Sequence, residues 1–222
     1  MIMSKSLSLA IFLSIFGSIE CFSQVRFGVK AGLNMSLMDG NNYFSNYVYN
    51  IEQPIDLPAY HAGVVGEIQV LKYFSIQPEI IYSTAGYRYF STGEVRNPWN
   101  QTTDPDITEF LSFVSVPLLL KLRIGGLGLV FGPQADRLVS AKRKIFEYDK
   151  EDASRDYNMA TTFSAVVGLE YTFRFGLGFH ARYTHGFQPV SKITETGIYE
   201  PGTSVKNRAT MAGLHFLFGK GK

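Results

Sequence analysis

Apolar and polar positions alternate one by one along most of this chain. In "VRFGVKAGLNMSL" (25–37), Val25, Phe27, Val29, Ala31, Leu33, Met35 and Leu37 interleave with Arg26, Gly28, Lys30, Gly32, Asn34 and Ser36. A two-residue period held this long specifies a strand with two unlike faces. Seven more segments share the pattern, at 59–70, 74–89, 113–124, 127–136, 162–173, 177–187 and 208–218. In the first of these, Tyr60, Ala62, Val64, Ile68 and Val70 oppose His61, Gly63, Glu67 and Gln69. The last is the least regular, with Leu214, Phe216 and Phe218 on one face and His215 on the other.

The segments between strands alternate in length. Short ones fall at 71–73, at Gly125-Gly126 and around Arg174; long ones run over 38–58, 90–108, 141–158 and 188–207. The long ones hold the turn-forming residues, as in "DGNN", "NPWNQTTDPD", "YDKEDASRD" and "TGIYEPGTSVKN". Alternation alone suits a soluble sandwich as well as a membrane barrel. Segregation of loop length to one end suits a barrel, because outer-membrane barrels join their strands by short turns on one side and long loops on the other. The fold expected is all-β: an eight-stranded antiparallel up-and-down transmembrane β-barrel. Strands of 10 to 16 residues are long enough, since a tilted strand crosses hydrocarbon in about 9–11.

The glycines and charges then orient the faces. Gly28, Gly32, Gly63, Gly128, Gly132, Gly168 and Gly178 share the polar row. Glycine weakens a water-facing strand, but inside an eight-stranded barrel, where side chains fill the lumen, it makes room for a long Arg or Glu. The same row carries Arg26, Lys30, Glu67, Glu79, Lys121, Arg123, Glu170 and Arg182, on six strands. Enclosed, these form a polar lumen network of five cations and three anions, with Asp136 as a fourth anion, and buried charges must be paired. Glu79 and Lys121, on adjacent strands, are the clearest expected pair; a register-holding ion pair and a proton-conducting or ion-selective interior are both open readings. Pro78 and Pro117 within strands predict a bulge or local irregularity.

The N-terminus changes the compartment. Lys5 precedes the apolar run "LSLAIFLSIFG" (7–17), the pattern of an export signal and short of the roughly 20 residues of a spanning helix. Cleavage after Ser23 divides the chain into a signal peptide, 1–23, and an outer-membrane β-barrel domain, 24–222. The single cysteine, Cys21, then leaves with the signal, so neither a disulfide framework nor a thiolate site is expected. A net charge of +2 provides no basic field for nucleic acid. The 18 Phe, 13 Tyr and 21 Gly fit strands better than helices.

No catalytic, cofactor or metal site is legible. His61, His180 and His215 read as isolated, without metal-ligand spacing. His185 shares the row of Phe179, Ala181 and Tyr183 and reads as an interfacial residue, since no Ser and carboxylate are placed beside it. The "GGLG" at 125–128 joins two strands and opens no helix, so it is no phosphate loop. Tyr43, Phe44, Tyr47, Tyr49 and Trp99 read as interface anchors and loop packing.

The stretches "FGVKAGLN", "QPEIIYSTAGY", "VSVPLLLKL", "FGPQAD", "VGLEY" and "ARYTHGF" resemble the small Gram-negative outer-membrane β-barrel proteins, including PorT-like members. The resemblance implies an outer-membrane barrel, and PorT-like members are linked with protein secretion. One departure is the tail, where Phe218 is followed by "GKGK" rather than ending the chain. The expected function is a non-enzymatic structural or interaction role through the long loops, in secretion or envelope assembly. A narrow pore for ions or small solutes is the alternative, with a lipid-modifying enzyme and a soluble lipocalin-like binder behind it. Expected partners are outer-membrane lipid and envelope or secretion proteins.

Overall fold

The structure, a computed structural model, describes residues 25–39, 55–90, 95–96, 102–103, 106–145, 150–156, 160–189 and 206–219. Eight long strands carry the fold: β1 (Val25–Asp39), β2 (Pro58–Gln69), β3 (Phe74–Phe90), β4 (Asp106–Ile124), β5 (Leu127–Ile145), β6 (Thr161–Thr172), β7 (Leu177–Pro189) and β8 (Lys206–Leu217). Each pairs antiparallel with its successor, and β8 returns to β1 from Gly28↔Leu217 to Asp39↔Lys206. The sheet is thereby closed, which leaves no unpaired edge for the bilayer to meet. The expected signal segment and the loop aromatics Tyr43, Phe44, Tyr47, Tyr49 and Trp99 lie outside the described residues.

The short connections are tight for identifiable reasons. Gly125 has φ 63° in the two-residue turn between β4 and β5, a left-handed conformation that costs a side-chain-bearing residue. Between β2 and β3, Leu71 and Phe74 exchange backbone hydrogen bonds in both directions. Gly176, with φ 99°, closes the turn between β6 and β7, and its carbonyl accepts from the Leu217 amide.

The irregularity expected at Pro78 and Pro117 is a gap in ladder bonding rather than a bulge, because Val65↔Glu79 and Ile68↔Ile76 keep one register across Pro78, as do Pro78↔Leu118 and Ile81↔Ser115 across Pro117. The register slips elsewhere: Phe113 faces Leu138 while Ser112 faces Ser140, so Val139 is the extra residue of a bulge. Beyond it β4 and β5 continue past the bounds of 113 and 136 read from the pattern, to Asp106 and Ile145.

The faces fall as the alternation requires. The outer row is apolar and exposed, with Phe27 at 67%, Leu33 at 68% and Val167 at 49%. Such a surface is untenable in water and suited to lipid. Around the short-turn end, Tyr171 and Phe179 each stand edge-on to Phe173, which stacks on Phe175 at 5.4 Å. Phe216 and Phe218 adjoin edge-to-face, and the Phe218 amide donates to the Phe27 carbonyl. Aromatic residues gathered at one rim form the interfacial girdle of a membrane barrel.

Candidate functional site in the barrel lumen

All eight charged residues singled out from the sequence point inward and meet in one network. Arg26 donates to Glu67 at 2.5 Å, and Arg123 reaches the same carboxylate at 3.4 Å. Lys121 bridges Glu67 and Glu170, at 2.9 Å to each. Lys30 bridges Glu79 and Glu170, at 3.0 Å to each. Arg182 grips Glu79 through both terminal nitrogens at 2.6 Å and also donates to Glu170. Gln77, an uncharged member of the same polar row, donates to Glu79 at 2.7 Å and to Glu170. The network ties six strands together inside the barrel, and Lys121, Glu67 and Glu79 are each 2% exposed or less. Charges this deep persist only where their partners are fixed.

The expected Glu79–Lys121 pair does not form. The β3–β4 register sets Lys121 opposite Ser75, nearer the short-turn end, and Glu79 is claimed by Lys30 and Arg182 from across the lumen. Adjacency alone does not set the pairs: Arg26 meets Glu67 directly across the β1–β2 ladder, whereas Lys30 and Arg182 reach Glu79 from strands that do not border its own. Asp136 also stays apart from the network. It accepts from Ser115 at 2.5 Å, from Gln134 at 2.6 Å and from Ser164. Toward the loop end Glu109 pairs with Arg143 at 2.5 Å, a pair hidden from the sequence reading because it lies in the strand extensions.

The histidines are likewise not isolated. His61 and His180 approach Nε2 to Nε2 at 2.9 Å, although 119 positions separate them. The ladder explains how: His61 faces Gly32, Gly32 faces Gly213, and Gly213 faces His180. Two rings lean toward each other over a floor of two glycines. A Cβ on Gly32 would stand 2.8 Å from the His61 ring, so the gap is required. His215 lies 6.1 Å from His180, centroid to centroid, and shares a hydrogen bond with Thr172 Oγ1 at 2.9 Å. Among the described residues no group of three or more His, Cys, Asp or Glu side chains is arranged to hold a metal. His185 sits on the outer face between the rings of Tyr183 and Phe187.

Not every inward residue is polar. Leu119, Val130 and Val166 form a buried apolar cluster from β4, β5 and β6, a small greasy patch beside the charges that β4 and β6 also carry. Leu119 follows the alternation, inward between Leu118 and Leu120 on the outer face.

A closed eight-stranded sheet, apolar outside and ion-paired inside, defines a transmembrane β-barrel of the outer-membrane class. The family comparison agrees over residues 18–192, and the chain belongs to the outer membrane protein beta-barrel domain family. No curated protein matches the chain. Among solved structures it is similar to the outer membrane protein OprG from Pseudomonas aeruginosa, at 10% identity and TM-score 0.49 over 90% of this chain and 99% of that one. It is also similar to Ail, the attachment invasion locus protein of Yersinia pestis, solved with the heparin analogue sucrose octasulfate, at 14% identity and TM-score 0.44 over 88% and 99%. Neisserial surface protein A matches at 9% identity and TM-score 0.40, over 86% and 96%.

Proposed function

We propose that this outer-membrane barrel is a non-conducting, non-enzymatic scaffold that presents its long connections to envelope or secretion partners. The observation that carries this reading is the lumen itself. Its ion network draws on six strands and keeps Lys30, Glu79, Lys121 and Glu170 each 3% exposed or less. An ion entering from either side meets side chains already locked to one another, and separating them carries the cost of breaking a buried pair, about 3–5 kcal/mol. What such a barrel offers a partner is its rim. The connections following β1, β3, β5 and β7 are the long ones in the sequence, and binding residues are disproportionately found on loops held by a rigid scaffold.

Planar-bilayer recording of the purified protein tests the first half: current at the level of protein-free bilayer is expected. Discrete conductance steps that survive dilution to single insertions would instead establish a narrow pore. Cross-linking in intact cells from single cysteines placed in the four long connections tests the second half, with one envelope protein captured reproducibly as the expected result. Capture of lipid alone would overturn the partner-binding role.

A further inference from the structure

Above the apolar band, the outer face of β5 turns basic. Its outward positions, counted from the short-turn end, are Leu127, Leu129, Phe131, Pro133 and Ala135, and the next is Arg137. Leu127 pairs with Tyr171, which belongs to the aromatic girdle. From Leu127 to Arg137 is ten positions, hence about 33 Å of strand. At a tilt of about 40° that is about 25 Å along the membrane normal, which matches the height of the apolar band of an outer-membrane barrel. Arg137 therefore stands where hydrocarbon gives way to headgroups.

Cations then accumulate on this face. Alternation past the bulge carries Lys142 and Lys144 outward, with Lys142 opposite Phe110 of β4. Lys150, from the connection after β5, sets its Nζ 3.8 Å from the centre of the Phe110 ring, which brings it onto the same face. The acidic neighbours are Asp152, opposite Lys142, and Glu151, opposite Arg143 on the other face, where Arg143 binds Glu109. Among the described residues of this hairpin, Arg137, Lys142, Lys144 and Lys150 thus share the outer face with one carboxylate, Asp152. Every cation of the lumen network is paired, whereas Arg137, Lys142 and Lys144 make no ion pair among the described residues.

A cationic face set directly above a lipid-facing wall attracts anionic headgroups, and phosphate suits the donors present. The guanidinium of Arg137 can take a phosphate through two parallel hydrogen bonds, while lysine serves it as a point charge. Thr161, exposed beside Arg137 across the β5–β6 ladder, adds a hydroxyl donor. Phe163, the next outward position below Thr161, is 53% exposed and Val139 is 44% exposed. These give apolar surface to the acyl chains of the same molecule, whereas a water-soluble acidic partner would match the charges and leave both side chains uncovered. We infer that the outer face of β5 at the loop end is a docking site for the phosphate headgroup of an anionic lipid, held by Arg137, Lys142 and Thr161 with an acyl chain along Phe163. The inference rests on the membrane-barrel fold and stands or falls independently of any protein partner at the rim.

Native mass spectrometry of the full-length protein released from detergent tests this, with dioleoylphosphatidylglycerol and dioleoylphosphatidylcholine as matched probes. Retention of phosphatidylglycerol at about tenfold the level of phosphatidylcholine is expected, the scale of one hydrogen bond to a charged group. Equal retention of the two lipids overturns the inference and leaves the face to solvent or to a protein. Arg137→Gln combined with Lys142→Gln should remove the preference. Lys72→Gln, in the short turn between β2 and β3 at the opposite end of the barrel, should keep it. Heat-modifiable gel mobility checks that both variants fold. A preference that survives the double substitution, or falls equally with Lys72→Gln, reflects overall charge rather than a site and also overturns the inference. Inorganic phosphate in excess should leave the bound lipid in place, and its displacement would assign these residues to free phosphate instead of lipid.

Discussion

At the residue scale, Glu170 is the keystone of the lumen, since Lys30, Lys121, Arg182 and Gln77 all converge on it. Glu170→Ala leaves three buried ammonium or guanidinium groups undercompensated and is expected to destabilise the barrel by about 3–5 kcal/mol. Arg123 offers the contrast. Its side chain is 17% exposed and 3.4 Å from Glu67, so Arg123→Ala should cost at most ~1 kcal/mol. Urea unfolding of both variants in the same detergent measures the difference; equal losses would show that the network does not act through charge compensation. Membership of the inward row was legible in the residues, because a charge in a strand bound for lipid has only one tolerable direction. Pairing was not, because it depends on the stagger of distant strands. His61 and His180 illustrate the point: only the β2–β1–β8–β7 ladder brings them together, and the one local sign was a glycine at each intervening position.

At the scale of the element, the strands could be read wherever the outer face meets lipid and the inner face is polar. The reading stopped short in β4 and β5, where both conditions fail. Past the bulge the pattern changes parity at Val139, and outward positions such as Lys142 are charged and exposed. The bulge and the regular strand make opposite predictions under deletion. Removing Val139 lets Ser140 keep its pairing with Ser112 while Ala141 still faces inward, so this variant should fold. Removing Val167 from β6 forces one side of that strand to exchange faces, carrying either Glu170 toward lipid or Ser164 out of its bond with Asp136. This second deletion should yield no heat-modifiable species on refolding. If the two deletions behave alike, the bulge is not an independent insertion in the strand.

Across the whole molecule, the apolar outer row and the aromatic rim imply a definite depth in the bilayer. Val167 lies midway along β6 and is exposed on the outer face, whereas Phe175 lies in the turn after β6, beside Phe173 in the girdle. If the outer face meets hydrocarbon, an arginine there costs an amount set by depth: about 2–4 kcal/mol at the midplane and ~0–1 kcal/mol near the interface. Val167→Arg should therefore destabilise the protein several times more than Phe175→Arg. Reversible guanidinium unfolding from phospholipid vesicles reads both values in the environment that matters. The comparison also separates lipid exposure from ordinary surface exposure. On a water-facing sheet both positions would accept arginine with little penalty, because neither side chain is buried within the protein. A large cost at Val167 alone would fix the midplane near the centre of β6, leaving the ion network enclosed at membrane depth, where burial makes its pairing obligatory.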